Sequence, residues 1–565
     1  MDLPLQPKVD ASLPLRVKRW PLDEVLDERY PLTPRQYWTL CAAACAIALL
    51  VRLPALASRS LWLDEAYSAW FSAVPLHELW TRVPLYETHP PFYYTLLKGW
   101  RLLAGSSEAG LRSLSVLASL ATVLFMALAP RLARLGPLAE RVGLLGALFL
   151  ALNAGNVQFA QDARPYAMQT LTAAVAIFCS FMLLHESRAG FSRRAWTWAG
   201  LLAVSAGLTL WLHNTGIFVA FGIWTGLACA LTRQAPQRRG QQLAIVGAAG
   251  LGAFLIWLPF LPMFLKQGEG VSQLAYWIKF TPSGLPSAWV LAAGGKAIKA
   301  PAVLLGLAGI YWLWQRRRDL AWHLVLLFAV APLTMAAYSY FIKPIFLARL
   351  FEWLAPLMMA TMALGAFALR PPLRKLAIAI TLAAMSWATY RYYFKIMENW
   401  REMVTMIAAR AQPGDLVIAF PNEVQPSIDY YLARTHMAAE IVYLPRPFPA
   451  PGMDRRYVGN LGAPAVDLPD VERVRAIVPH YRRIWLIERR PDLYDPSESV
   501  AQEIERRFAP VEVFEDIGAQ ITLFVPRQQV AHGTQPRHYG PVAEFKAQQA
   551  RRLREESATV EPRQP

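Results

Sequence analysis

Long apolar runs separated by short polar turns occupy the chain from residue 36 to about residue 395. They predict spanning helices near 36–56, 111–134, 140–158, 164–185, 195–212, 215–232, 242–264, 288–315, 320–341, 346–368 and 373–394. About 20 apolar residues cross the roughly 30 Å hydrocarbon layer, and only a helix satisfies their backbone hydrogen bonds without water. The expected class is an α-helical polytopic membrane protein of about 11 transmembrane helices.

The turns carry the charge that orients such a bundle. Lys18, Arg19 and Arg35 precede the first span; Arg131, Arg134 and Arg141 separate the second from the third; Arg193 and Arg194 separate the fourth from the fifth. Arg233, Arg238 and Arg239 follow the sixth, Arg316 to Arg318 the eighth, and Arg370, Arg374 and Lys375 the tenth. If the spans alternate, every cluster falls on one side, which the positive-inside rule makes the cytoplasm. The loop 57–110, the turns near 159–163, 213–214, 265–287 and 342–345, and everything after Tyr393 then face away. Residues 90–104 are apolar but few and include Lys98 and Arg101, so a helix lying in the interface is expected there. A span at that point would invert every later loop.

Past residue 395 the texture changes. DLVIAF (415–420), EIVYL (440–444) and RIWLIE (483–488) read as strands, with helical stretches around 425–434, 468–478 and 499–508. Such alternation predicts a small α/β domain with a partly parallel sheet. The expected organisation is a cytoplasmic segment 1–35, a transmembrane domain 36–395, an extracytoplasmic α/β domain 396–528, and a polar tail 529–565 too poor in aliphatics to order.

Composition agrees: of 565 residues 55% are hydrophobic and only 17% charged. The net charge of +17 sits mostly in the turns between spans, where membrane orientation explains it, so no nucleic-acid partner is expected. Cys41, Cys45, Cys179 and Cys229 lie within apolar segments without metal-ligand spacing and read as small buried hydrophobes. The first thirty-five residues are polar and proline-rich, so the first span is expected to be an uncleaved anchor.

Chemistry gathers on the outer face. Asp64 and Glu65 stand in SLWLDEAYSAW, where an acid would also suit a helix N-terminus. His89 precedes two prolines in ETHPPFYY, a place for a turn residue as much as for a ligand. QFAQDARPYAM brings Asp162, Arg164 and Tyr166 within five residues, as a salt bridge or as an anion site. His213 and Asn214 break the apolar pattern at LHNTG, and Lys343 and Arg349 flank the tenth span, where snorkelling to headgroups is the bland reading. Acids, histidines and cations from separate loops on one face suit a reaction on a phosphate-bearing lipid. Cations would stabilise the departing phosphate, and a carboxylate would take a proton from an attacking hydroxyl.

The order LWLDEAYSAW, HPPFYY, QDARPYAM, a polar His turn and ARLFEWLAP resembles the GT-C glycosyltransferases. More closely, residues 36–370 are similar to the bacterial branch of the protein mannosyltransferase family 39 and its RgtA/B/C/D-like relatives; enzymes adding aminoarabinose to lipid A are more distant cousins. Asp162 stands where those families usually carry Glu. The resemblance implies a polyprenyl-phosphate sugar donor, used on the extracytoplasmic face of a bacterial inner membrane, and a lipid, glycan or protein acceptor. It implies Asp64 as base, Glu65 or Asp162 orienting sugar or acceptor, and inversion at the anomeric carbon. Arg164 and Arg349, ahead of Lys343, are the candidate phosphate ligands, because a guanidinium binds phosphate bidentately. His89, Tyr166, His213 and Asn214 are candidate substrate contacts. No cofactor is implied, although two carboxylates could hold Mg²⁺. A transporter or flippase of a lipid-linked sugar is the main alternative; it predicts inverted repeats and broken helices with polar groups at mid-membrane, neither of which shows in the span pattern.

Overall fold

The computed structural model describes residues 21–186, 192–233, 239–274, 278–531, 533–544 and 546. A helix stands at every expected span, and among the described residues seven are long and apolar enough to cross a membrane, or eight when the bent pair Pro137–Ala151 and Ala154–Ala160 is taken as one. Pro34–Leu50 and Gly216–Leu231 occupy the places of spans but have only 17 and 16 residues. Arg141 and Arg374, from two of the basic clusters, both reach the segment just before the first expected span. Arg141 Nε donates to the carbonyl of Val25 at 2.7 Å, Arg374 pairs with Glu28 at 2.5 Å, and Arg317 lies 3.5 Å from His185. Pro91–Ala104 is a separate helix of 14 residues, too short to span.

Three expected spans differ in form. The seventh does not end at 264: Arg239–Trp257 leads through a tight turn at Leu258–Phe260 into Leu261–Gln273, so much of the expected loop 265–287 is helix. Pro259 and Pro262 fall in first turns, where a missing N–H costs nothing. The expected span 288–315 is broken into Ser287–Ala292 and Lys299–Arg316 by Gly294 and Gly295. Both glycines take left-handed φ values, 98° and 116°, that a Cβ would oppose. The expected span 140–158 bends by 65° after Ala151. Arg52, fully buried, donates at the bend to the carbonyl of Ala151 at 3.0 Å and to that of Leu150, which also accepts from the N–H of Asn153, at 3.4 Å. Asn153 joins the two breaks: its Oδ1 accepts from the N–H of Asn156 at 3.0 Å and its Nδ2 donates to the carbonyl of Ala292 at 2.9 Å. Two broken helices thus face each other, which corrects the expectation of continuous spans; transport can no longer be disfavoured on that ground.

The C-terminal domain is a six-stranded sheet: β1 (Asp415–Phe420), β2 (Glu440–Tyr443), β3 (Arg483–Arg489), β4 (Phe508–Asp516), β5 (Ala519–Pro526) and β6 (Arg537–Tyr539) in the order β2-β1-β3-β5-β4-β6. β1 pairs in parallel with β2 and β3, while β5 runs antiparallel to β3 and β4. Alternate side chains explain the two cores. Val417, Ala419, Trp485 and Ile487 face Trp400–Arg410 and Gln425–Leu432, whereas Leu416, Ile418, Ile484 and Leu486 face Leu468–Ile477 and Ser499–Glu505. β4 and β5 were not expected; the helix assigned to 499–508 stops at Glu505 and β4 begins at Phe508. β6 lies in the tail expected to be disordered and pairs with β4; residues 547–565 of that tail fall outside the described residues, as does the start of the segment 1–35.

The domain sits on the end of the bundle that carries Asp64. Tyr431 Oη accepts from the N–H of Leu61 at 2.8 Å, Asn460 Nδ2 donates to Tyr67 Oη at 3.0 Å, and Arg401 and Arg434 both pair with Glu108, at 2.8 and 3.1 Å.

Candidate active site

Leu63–Phe71 begins with its two acids in the first turn, where the helix dipole favours them, and successive residues point to different faces. Glu65 turns inward and is fully buried. Its carboxylate receives Arg112 twice, Nε at 2.8 Å and Nη2 at 2.6 Å, and the N–H of Ala163 at 2.8 Å. The other N–H groups of Arg112 reach the carbonyls of Leu56, Arg59 and Ser60 at 2.8–2.9 Å. Glu65 therefore ties the loop before the helix to the turn at 161–165 and does not line the cavity described next. Asp162 is also buried away from that cavity. Burial, then the charge of Glu65, pushes its carboxyl above the usual range. Neither acid therefore lines this cavity, where one of them was expected to orient sugar or acceptor.

Asp64 turns outward into a cavity of about 720 Å³ between the bundle and the α/β domain. Arg164, Arg349, His89, Tyr166, His213 and Asn214 line it too. Arg349 Nη1 stands 3.3 Å from Asp64 Oδ2, with its guanidinium 5.6 Å from the Trp62 ring. Arg164 Nη1 donates to the backbone carbonyl of Asp64 at 3.2 Å, and its Nη2 lies 3.0 Å from His89 Nε2. Since arginine has no acceptor, His89 Nε2 must accept and Nδ1 must carry the proton, which it gives to Glu87. His213 is fixed the other way: its Nδ1 accepts from the N–H of Thr215 at 3.1 Å, leaving the proton on Nε2. Burial, with Arg164 nearby, lowers the pKa of both imidazoles, so both are neutral. Asn214 Nδ2 donates to the carbonyl of Thr88 at 2.7 Å and to Gln267 Oε1 at 3.0 Å, holding the loop that carries His89.

Several atoms on these walls are buried without a partner among the described residues: Nε of Arg164, Arg349 and Arg489, His213 Nε2 and Asn214 Oδ1. Buried polar groups are nearly always satisfied, so four unmet donors and an unmet acceptor on the walls of one cavity mark a place for a polar ligand. One wall is apolar, formed by Ile217, Phe218, Phe221, Phe264, Val271 and Tyr338 from three helices. Ile217 and Phe221 are 42% and 52% exposed, so this wall opens sideways from the bundle. The cavity suits an amphiphile with an anionic head and a long apolar tail.

Lys343 does not join the site. Its Nζ donates to the carbonyls of Ser272 and Leu274, at 3.0 and 2.5 Å, closing the C-terminus of Leu261–Gln273. The cavity also contains groups that sequence reasoning missed. Glu87 lies within the quoted ETHPPFYY, but nothing there separates it from a loop acid. Arg489, Glu423 and Tyr494 come from the α/β domain. Arg489 bridges Glu423 at 2.7 Å and Glu398 at 3.0 Å, and Glu398 Oε2 accepts from the N–H of Leu63 at 3.1 Å, beside Asp64. No group of three or more His, Cys, Asp or Glu suited to a metal occurs among the described residues.

No family model matches the chain, and no curated protein matches it in sequence. Solved structures do. ArnT from Cupriavidus metallidurans in the apo state is 11% identical, with a TM-score of 0.59 over 87% of this chain and 98% of that one. The same protein bound to undecaprenyl phosphate is 12% identical, with a TM-score of 0.53 over 88% and 99%. The fold is GT-C. The apo oligosaccharyltransferase of Archaeoglobus fulgidus, 11% identical, superposes with a TM-score of 0.50 over 89% of this chain and 75% of that one. At such identities the likeness fixes the GT-C architecture and leaves the chemistry to the site itself.

Proposed function

We propose that the chain is a membrane glycosyltransferase that moves one sugar from a polyprenyl-phosphate donor to an acceptor of the cell envelope, on the extracytoplasmic side of a bacterial inner membrane. The observation that carries the reading is the Asp64–Arg349 pair at the junction of a polar pocket and an apolar wall open to the side of the bundle. The donor tail lies along Ile217, Phe221 and Phe264, and its phosphate meets Arg349 and Arg164, whose charges oppose those that develop as it leaves. An acceptor hydroxyl attacks the anomeric carbon from the opposite side. The new C–O bond forms as the sugar–phosphate bond breaks, the phosphate departs with the electron pair, and Asp64 takes the hydroxyl proton. One displacement inverts the anomeric centre. The undecaprenyl phosphate bound by ArnT supports this class of donor. No step requires a metal.

Intact-mass profiling of envelope glycolipids, polysaccharides and proteins tests the proposal in cells with the normal chain, no chain and Asp64→Asn. The expected result is a component that loses one sugar mass in both defective strains. A loss in the null strain alone, with Asp64→Asn behaving normally, would point to transport of a lipid-linked sugar and overturn the mechanism.

A further inference from the structure

We propose that the α/β domain holds a second binding basin, beside the transfer cavity, for an anionic glycan portion of the acceptor. The word acceptor rests on the reading above; the binding itself does not. A cavity of about 620 Å³ opens between the helices Leu468–Ile477 and Ser499–Glu505, lined by Arg455, Arg456, Arg475 and Arg506. Its acids are committed within the fold. Asp467 accepts from the N–H of Leu468 at 2.8 Å, Asp495 accepts from Ser499 Oγ at 2.7 Å and the N–H of Val500 at 2.9 Å, and Glu503 receives Arg475 through two contacts of 2.9 Å.

Arg455 is paired with Asp470 and Arg475 with Glu503, but the other two guanidinium groups are less committed. Arg506 meets Glu503 only through Nε, at 3.3 Å, and its side chain is 65% exposed. The one side-chain hydrogen bond of Arg456 among the described residues goes to the carbonyl of Leu493. The basin therefore offers many N–H donors and few free acceptors, a match for carboxylate or phosphate groups. Composition does not explain the cluster, because residues 396–528 contain more acids than bases. Membrane orientation does not explain it either, since these arginines lie on the face opposite the basic turns.

The basin adjoins the first cavity across a shared wall. Tyr494 lines both, and the segment 455–467 gives Arg455 and Arg456 to the basin and Gly459 and Asn460 to the transfer cavity. A glycan seated on the arginines would lie beside the cavity that holds Asp64.

Isothermal titration of the full chain in detergent micelles would compare decagalacturonate, a mannose-6-phosphate oligomer and neutral maltodecaose, for the normal chain and for Arg456→Gln with Arg506→Gln. Binding of at least one anionic oligomer, none of maltodecaose, and a loss of about tenfold or more in the variant are expected. The anionic probe that binds separates a uronate from a phosphate source. Equal binding of the neutral oligomer, no anionic binding, or unchanged affinity in the variant would overturn the proposal. Undecaprenyl phosphate binding, unaltered in the variant, is the control for folding. Its absence in the normal chain would instead count against the glycosyltransferase reading and leave the basin to stand on the oligomers.

Discussion

Asp64 and Glu65 are neighbours of the same chemical type with opposite fates. Asp64 is 22% exposed and its carboxylate has one long contact with Arg349, whereas Glu65 is fully buried and holds a bidentate guanidinium and a backbone N–H. Glu65 is held away from the cavity by its partners, whereas Asp64 lines it. The pair divides its positions, one acid holding the helix in place while the other faces the cavity.

Substitution should separate the two roles. Asp64→Asn should lower transfer by about 10²–10⁴-fold while leaving the melting temperature of the purified protein nearly unchanged. Retention of more than a tenth of normal activity would remove Asp64 from the role of base. Glu65→Gln should do the reverse at the level of the fold. It leaves Arg112 charged and buried without its partner, a loss of about 3–5 kcal/mol, visible as less extractable protein and a lower melting temperature. If Glu65→Gln folded normally but lost transfer, this division would be wrong.

The same contrast separates the two outer-face cations from each other. Arg349 faces the cavity, whereas Lys343 closes a helix end. Arg349→Lys should weaken donor use by about ten- to a hundredfold, because an ammonium replaces a forked donor, and Lys343→Gln should leave donor use within a factor of about three. Titration with undecaprenyl phosphate checks both.

Much of the site was legible because polarity is conspicuous in apolar surroundings. Asp64, His89, Arg164, Tyr166, His213, Asn214 and Arg349 were all read on one face, and the fold brings them to one cavity. What stayed hidden were partners. Arg52 and Arg112 sit at the ends of apolar runs, where a cation reads as a boundary marker, yet both are buried and fully bonded inside the bundle. Nothing in a single sequence distinguishes a snorkelling arginine from one that caps freed carbonyls. The burial of Glu65 and Asp162 follows from the bend at 151–153 and the 161–165 turn, which depend on three-dimensional contacts. In the α/β domain part of the missed signal was present: ITLFV within β5 is rich in β-branched and aromatic residues, as strands are. Arg489 was unreachable by motif, since it enters the site only through docking of the domain.

The smallest expected effect concerns His89 and His213, whose pKa values lie below the ordinary value in the folded chain. A lowered folded pKa means that, below about pH 6.5, the unfolded chain takes up protons that the folded chain does not. Stability should therefore hold above that pH and fall as pH drops beneath it. Arg164 lies 3.0 Å from His89, whose ring meets that of His213; the arginine's charge acts on both, and His89 also contacts Glu87, so these charges help set the slope. In His89→Gln the glutamine carbonyl can still accept from Arg164, but the bond to Glu87 is lost. This variant should keep most donor affinity and show a shallower fall in melting temperature between pH 7 and pH 5.5. An unchanged slope in both His89→Gln and His213→Gln would mean that the two rings titrate normally. The neutral tautomer that turns Nε2 of His89 towards Arg164 would then no longer be secure.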